Sequence, residues 1–158
     1  MELAMDVMST EHSRREALRL AGLAGLALIV APGRAEASPD EVSAAIAKLY
    51  GEKKPESGKI KLDVPEIAEN GLVVPINLEV ESPMTEADYV RAVHVFADGN
   101  PLPNVISYKF TPACGKAAAS ARMRLAQTQN IMCIAEMSNG SLYKASATIK
   151  VTIGGCGG

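Results

Sequence analysis

Tryptophan is absent from this 158-residue chain, and Phe and Tyr are so few that aromatics make up 4% of it. There is no material for aromatic platforms that stack bases or sugars. Histidine is almost as scarce, with His12 and His94 the two present. A Ser-His-Asp or Cys-His site would have one base at most to draw on once the leader described below is removed. A blue-copper site, which needs two histidines beside its cysteine, cannot be assembled from the mature chain at all. Charge of one sign is also lacking: 16 Lys+Arg stand against 18 Asp+Glu, a formal net charge of −2, which gives no electrostatic grip on nucleic acid or an anionic membrane. No Cys-x-x-Cys-His occurs, so haem is not attached covalently. Cys114, Cys133 and Cys156 do not have zinc-ligand spacing, and no glycine-rich phosphate loop follows a strand. The residues thus point to no catalytic group, no metal and no cofactor.

What is present begins with an export signal. Ser13-Arg14-Arg15-Glu16-Ala17-Leu18-Arg19 is a twin-arginine pattern, with Ala17 where a Phe is usual; an apolar run from Leu20 to Val30 follows, then Pro32-Gly33, then the small-x-small site Ala35-Glu36-Ala37. The run falls well short of the roughly 20 apolar residues that span a bilayer. Residues 1–37 are therefore expected to be a signal peptide, with Met8 an alternative start, and the mature protein to be periplasmic, exported by the twin-arginine route and without a membrane span. Its removal leaves His94 as the one histidine and keeps all three cysteines. The remaining length suits one domain of roughly 100–150 residues.

Residues 38–58 read as a helix and a connector. Ser38-Pro39-Asp40-Glu41 is a capping box with proline at the first helical position, Val42, Ala45, Ile46 and Leu49 recur at helical spacing, and Gly51 stops the helix. From residue 59 the period falls to two. Strands are expected over 72–81, 89–97, 105–110, 118–126, 130–138 and 141–153. Pro75 implies an edge strand or a bulge, and Asn139-Gly140 is a strong hairpin signal. About seven strands separated by turns describe an all-β fold, an immunoglobulin-like antiparallel β-sandwich over 59–153. His94 shares a strand face with Val90, Ala92 and Phe96 and reads as a structural or surface histidine. Arg122 and Arg124 share another and read as solvated or salt-bridged, with a partner-protein contact as the alternative.

The chain ends Gly154-Gly155-Cys156-Gly157-Gly158. Four glycines bring no side chains to pack and the largest backbone freedom, so residues 154–158 read as a flexible arm of roughly 16–18 Å with a thiol near its middle. An incidental cysteine on a frayed tail and an intermolecular disulfide staple are the alternatives. Catalytic cysteines have a lowered thiol pKa through His, Lys, Arg or a helix N-terminus. Cys156 has none of these beside it in sequence, so the thiol is suited to carrying a group that other proteins act on.

The ending Val151 to Gly158 resembles that of the SoxY family, sulfur carriers of the bacterial thiosulfate-oxidising Sox system. The resemblance extends through Pro65-Glu66-Ile67-Ala68-Glu69-Asn70-Gly71, Val74-Pro75-Ile76, Glu81-Ser82-Pro83-Met84, Arg122-Met123-Arg124-Leu125-Ala126 and Ala135-Glu136-Met137. It implies an immunoglobulin-like fold, a heterodimer with SoxZ, and sulfur compounds held covalently on Cys156. The c-type cytochrome enzyme SoxXA would load thiosulfate as an S-thiosulfonate, and the hydrolase SoxB would release sulfate. SoxCD would oxidise the remaining sulfane sulfur, or that sulfur would be passed elsewhere. Cys114 and Cys133 lie outside the family motif. With Cys156 reserved as carrier they leave a pair, which forms either a disulfide or two separate buried thiols. Two other functions stay open at this point: a non-catalytic adhesion or adaptor sandwich crosslinked through Cys156, and a disulfide-exchange protein using a second cysteine.

Overall fold

The computed structural model describes residues 37–154, so the expected leader over 1–37, except its last residue Ala37, and Cys156 lie outside the described residues. Ala37 is buried, its N–H donating to the carbonyl of Asn100 at 2.7 Å.

Helix α1 (Pro39–Tyr50) starts where the capping box predicts. The Ser38 hydroxyl accepts the N–H of Glu41 at 3.2 Å, and the Glu41 carboxylate accepts the N–H of Ser38 at 3.0 Å. Such a cap is worth about 0.5–2 kcal/mol. Gly51 follows with φ 66°, a conformation that stops the helix. The helix lays Val42 on Phe96 and Ile134, with Ala45, Ile46 and Tyr50 half-buried beside them. Leu49, expected on this face, is 48% exposed. The last turn directs Tyr50 onto the sheet instead, its ring meeting His94 edge-on with centroids 6.0 Å apart.

Among the described residues nine strands follow: β1 (Glu56–Ser57), β2 (Ile60–Asp63), β3 (Ile67–Ala68), β4 (Val74–Val80), β5 (Val90–Ala97), β6 (Asn104–Lys109), β7 (Ala117–Met123), β8 (Gln129–Met137) and β9 (Leu142–Val151). The larger sheet has the order β1-β9-β8-β5-β6, with β3 also on β9; the smaller is β2-β4-β7. The long pairings are antiparallel, as expected. The two-residue strands β1 and β3 pair parallel with β9, being too short to carry an alternation that a sequence could show. Asn139-Gly140 makes the β8–β9 turn: Gly140 adopts φ 82° and donates to Met137, and Met137 donates back to Ser141.

Alternation places one row of each sheet in the core. Val93, Val95, Ala97, Ile131, Cys133, Ala135 and Met137 meet Val74, Ile76, Leu78, Val80, Ala117 and Met123 between the sheets. Complete burial of such a side chain contributes about 1.5–3 kcal/mol. The opposite row of the larger sheet carries Phe96 and Ile134 and is covered by α1. Pro75 corrects the expectation of an edge strand, since β4 is the central strand of its sheet and its register with β7 runs unbroken from Val74 to Val80. The proline is tolerated because β2 pairs only Asn77 to Val80, leaving Pro75 at a local edge. Leu72, expected inside that strand, precedes it and is exposed. Among the described residues no helix is long and apolar enough to cross a membrane.

Candidate functional site

The described residues end at Gly154, just past β9, and this end of the chain is held down. Past the end of β9, Thr152 donates its N–H to Ala68 at 3.0 Å and its hydroxyl to the carbonyl of Glu69 at 2.7 Å. The carbonyl of Ile153 accepts the N–H of Gly71 at 2.7 Å, and the carbonyl of that same Gly71 accepts Leu125 at 2.8 Å. On the other side Thr128 accepts the N–H of Val151 at 2.9 Å. Gly154 sits so close to this second loop that a Cβ built on it would collide with the carbonyl oxygen of Ala126.

The loop over 124–128 is itself held from inside. Asn100 and Gln129 are the buried polar side chains among the described residues. Asn100 donates to the carbonyl of Arg124 at 2.8 Å, and its Oδ1 accepts both the N–H of Ala126 and Gln129 Nε2 at 3.0 Å. Gln129 in turn accepts the N–H of Gly99 at 2.8 Å. A polar network with its bonds made in the interior is rigid. The turn over Asp98-Gly99-Asn100-Pro101 thus supports the loop against which Gly154 lies. Neither Asn100, Gln129, Thr128 nor Thr152 stood out beforehand, because polar residues near turns are common; the two buried amides would have required knowing the burial.

Gly154, expected as part of the free arm, is the end of this foundation. Gly155, Cys156, Gly157 and Gly158 lie outside the described residues. Of the two alternatives left open for Cys114 and Cys133, the structure has separate free thiols, with Cys133 buried as expected and Cys114 exposed. Cys133 is wholly buried on β8, between Val95 and Ala145 of the neighbouring strands, whereas Cys114 is exposed on a 3-10 turn (Pro112–Cys114) after β6. Burial pushes the Cys133 thiol up to about 12. Cys114 shifts the other way, lowered by a backbone and then a side-chain hydrogen bond from Thr111.

His94 is half-buried, with Nδ1 2.8 Å from the Ser107 hydroxyl, which in turn donates to Asn104. Desolvation lowers its pKa, against a smaller opposite effect of Glu136. It sits under α1, as a structural histidine should. Arg122 and Arg124 both project into solvent. Among the described residues no three His, Cys, Asp or Glu side chains gather where they could hold a metal ion.

The family model described as "Sulfur oxidation protein SoxY" matches residues 46–156, from helix α1 to Cys156. The chain belongs to the SoxY family. The solved sulfur carrier protein SoxY from Chlorobium limicola f thiosulfatophilum is 35% identical, with a TM-score of 0.61 over 73% of this chain and 100% of that one. A superoxide reductase (neelaredoxin) from Ignicoccus hospitalis has a TM-score of 0.54 over 77% of this chain and 98% of that one, at 20% identity. At that identity the likeness is one of fold alone. No curated protein matches. The SoxY match includes the helix from Ile46, the clamped end of β9 and the cysteine five residues beyond it.

Proposed function

We propose that the protein carries the sulfur intermediates of thiosulfate oxidation as covalent adducts of Cys156. The observation that carries the reading is the family match that runs through the end of β9 to Cys156 itself. The Chlorobium protein of that family is a sulfur carrier by name. A fixed root at Gly154, followed by a thiol flanked only by glycines, fits a group presented to other active sites.

In loading, the thiol of Cys156 and the terminal sulfur of thiosulfate form an S–S bond, the thiol proton leaves, and two electrons pass to a cytochrome enzyme, SoxXA. In the next step water attacks the sulfonate sulfur under a hydrolase, SoxB. Sulfate and a proton depart, and a persulfide remains on Cys156. SoxCD then oxidises the remaining sulfane sulfur, or a different acceptor takes it. The chemistry belongs to those enzymes, and this chain is a carrier without catalysis of its own. Export by the twin-arginine route, which moves folded proteins, suits a heterodimer with SoxZ crossing to the periplasm together.

The test is complementation. In a thiosulfate-oxidising strain that lacks this gene, the wild-type chain and Cys114→Ser restore thiosulfate consumption, and Cys156→Ser restores none. Consumption restored by Cys156→Ser overturns the reading.

A further inference from the structure

Most large apolar side chains of the described fold are buried; besides Leu49 on α1 and Leu102 after the turn at 98–101, the exposed ones gather near the end of the described chain. Ile153 is 67% exposed, Val73 58% and Leu72 46%. The Gly71 to Ile153 hydrogen bond brings the stretch that carries Leu72 and Val73 alongside the chain end that carries Ile153. Ile67, 58% exposed, lies on the same junction, paired with Lys150 of β9. These four form an apolar collar around the point where the arm leaves.

Reach decides what covers it. Gly154 is held against Ala126, and Cys156 is two residues further on, so its Cα lies within about 7 Å of Gly154. An enzyme acting on that sulfur therefore brings its surface down onto the arm root. A specific interface takes about 800 Å² from each partner, a patch of roughly 16 Å radius, and one centred on this arm necessarily includes the collar. Interface centres are apolar and poor in charge, which is what Leu72, Val73 and Ile153 offer.

We propose that this collar is the docking surface for the enzyme that processes Cys156, and that the enzyme's active-site mouth is rimmed by apolar side chains. The inference rests on the carrier reading above. It makes the collar, as well as the arm, a determinant of which enzymes accept this carrier.

The test uses the full mature chain in its native complex, with thiosulfate and the cytochrome enzyme that loads it, and follows the carrier concentration dependence of loading. Leu72→Ser/Val73→Thr and, separately, Ile153→Thr alter exposed side chains and leave the backbone bonds in place. Expected for both is a KM for the carrier raised about tenfold or more, with kcat and the rate of Cys156 alkylation by iodoacetamide unchanged. An unchanged KM in both variants overturns the proposal. So does a fall in the solution mass of the complex, which would assign the collar to a permanent subunit or a second copy. Loading of Cys156→Ser as efficiently as wild type is a different result, and it removes the carrier reading itself.

Discussion

The N–H of Gly71 lies 2.7 Å from the carbonyl oxygen of Ile153, and this bond makes the end of the last strand part of the sandwich rather than of the arm. Gly154, the residue after it, meets the carbonyl of Ala126 at a distance that leaves no room for a side chain. The first glycine of the ending thus lets the chain pass a backbone closely, while those beyond it are the sequence neighbours of Cys156.

Gly154→Ala should accordingly behave as an overpacking mutation and not as a stiffened tail. Forcing a methyl into a packed site costs about 1–3 kcal/mol. The expected outcome is a lower Tm together with faster amide exchange at Gly71 and Leu125. An unchanged Tm would show that Gly154 is already free.

The Asn100 side chain supports the same root from within. Replacing it by Ala leaves the N–H of Ala126 and the amide of Gln129 short of an acceptor in the interior, a cost of about 1–3 kcal/mol. Thermal unfolding of Asn100→Ala should show it, with Asn100→Asp closer to wild type in Ala126 protection.

The cysteines should differ sharply in reactivity. Cys133 is buried with its thiol pushed up to about 12, so iodoacetamide at neutral pH modifies it only on unfolding. Cys114 is exposed and held below its ordinary range by Thr111, and reacts in the native state. In Thr111→Val, which removes the side-chain hydrogen bond, the pH at which Cys114 becomes reactive should move up. Peptide mapping after timed alkylation reads all of this.

Acidification should destabilise the fold through His94. Its folded pKa is depressed, first by desolvation, so the unfolded chain takes up the proton first. The stability this residue provides is present above roughly pH 6.5 and is lost as pH falls toward the folded value. His94→Gln should lose less Tm between pH 7 and pH 5 than wild type does.

Much of this was legible in the sequence, for identifiable reasons. The capping box at Ser38, the Asn139-Gly140 hairpin and the alternation through Val74 to Val80 are local signals, and each became the element it predicted. Leu49 was misplaced because helical spacing says which residues share a face but not which of them, Leu49 or Tyr50, meets the sheet. Leu72 read as core because apolar alternation continues past the end of the ladder. The sequence left Cys114 and Cys133 open between a bridge and separate thiols because residue parity says nothing about where two side chains point. The root of the arm, built from Gly71, Asn100, Ala126, Thr128 and Thr152, was invisible, since it exists only when three loops distant in sequence converge.

The most direct measurement is the intact mass of the mature protein taken from the periplasm of thiosulfate-exposed cells without reductant, beside Cys156→Ser and Cys114→Ser. Discrete sulfur or thiosulfonate additions on wild type and Cys114→Ser, absent from Cys156→Ser, are what a carrier on Cys156 predicts. The same additions on Cys156→Ser, or none on wild type beyond a Cys156-linked dimer, would contradict it.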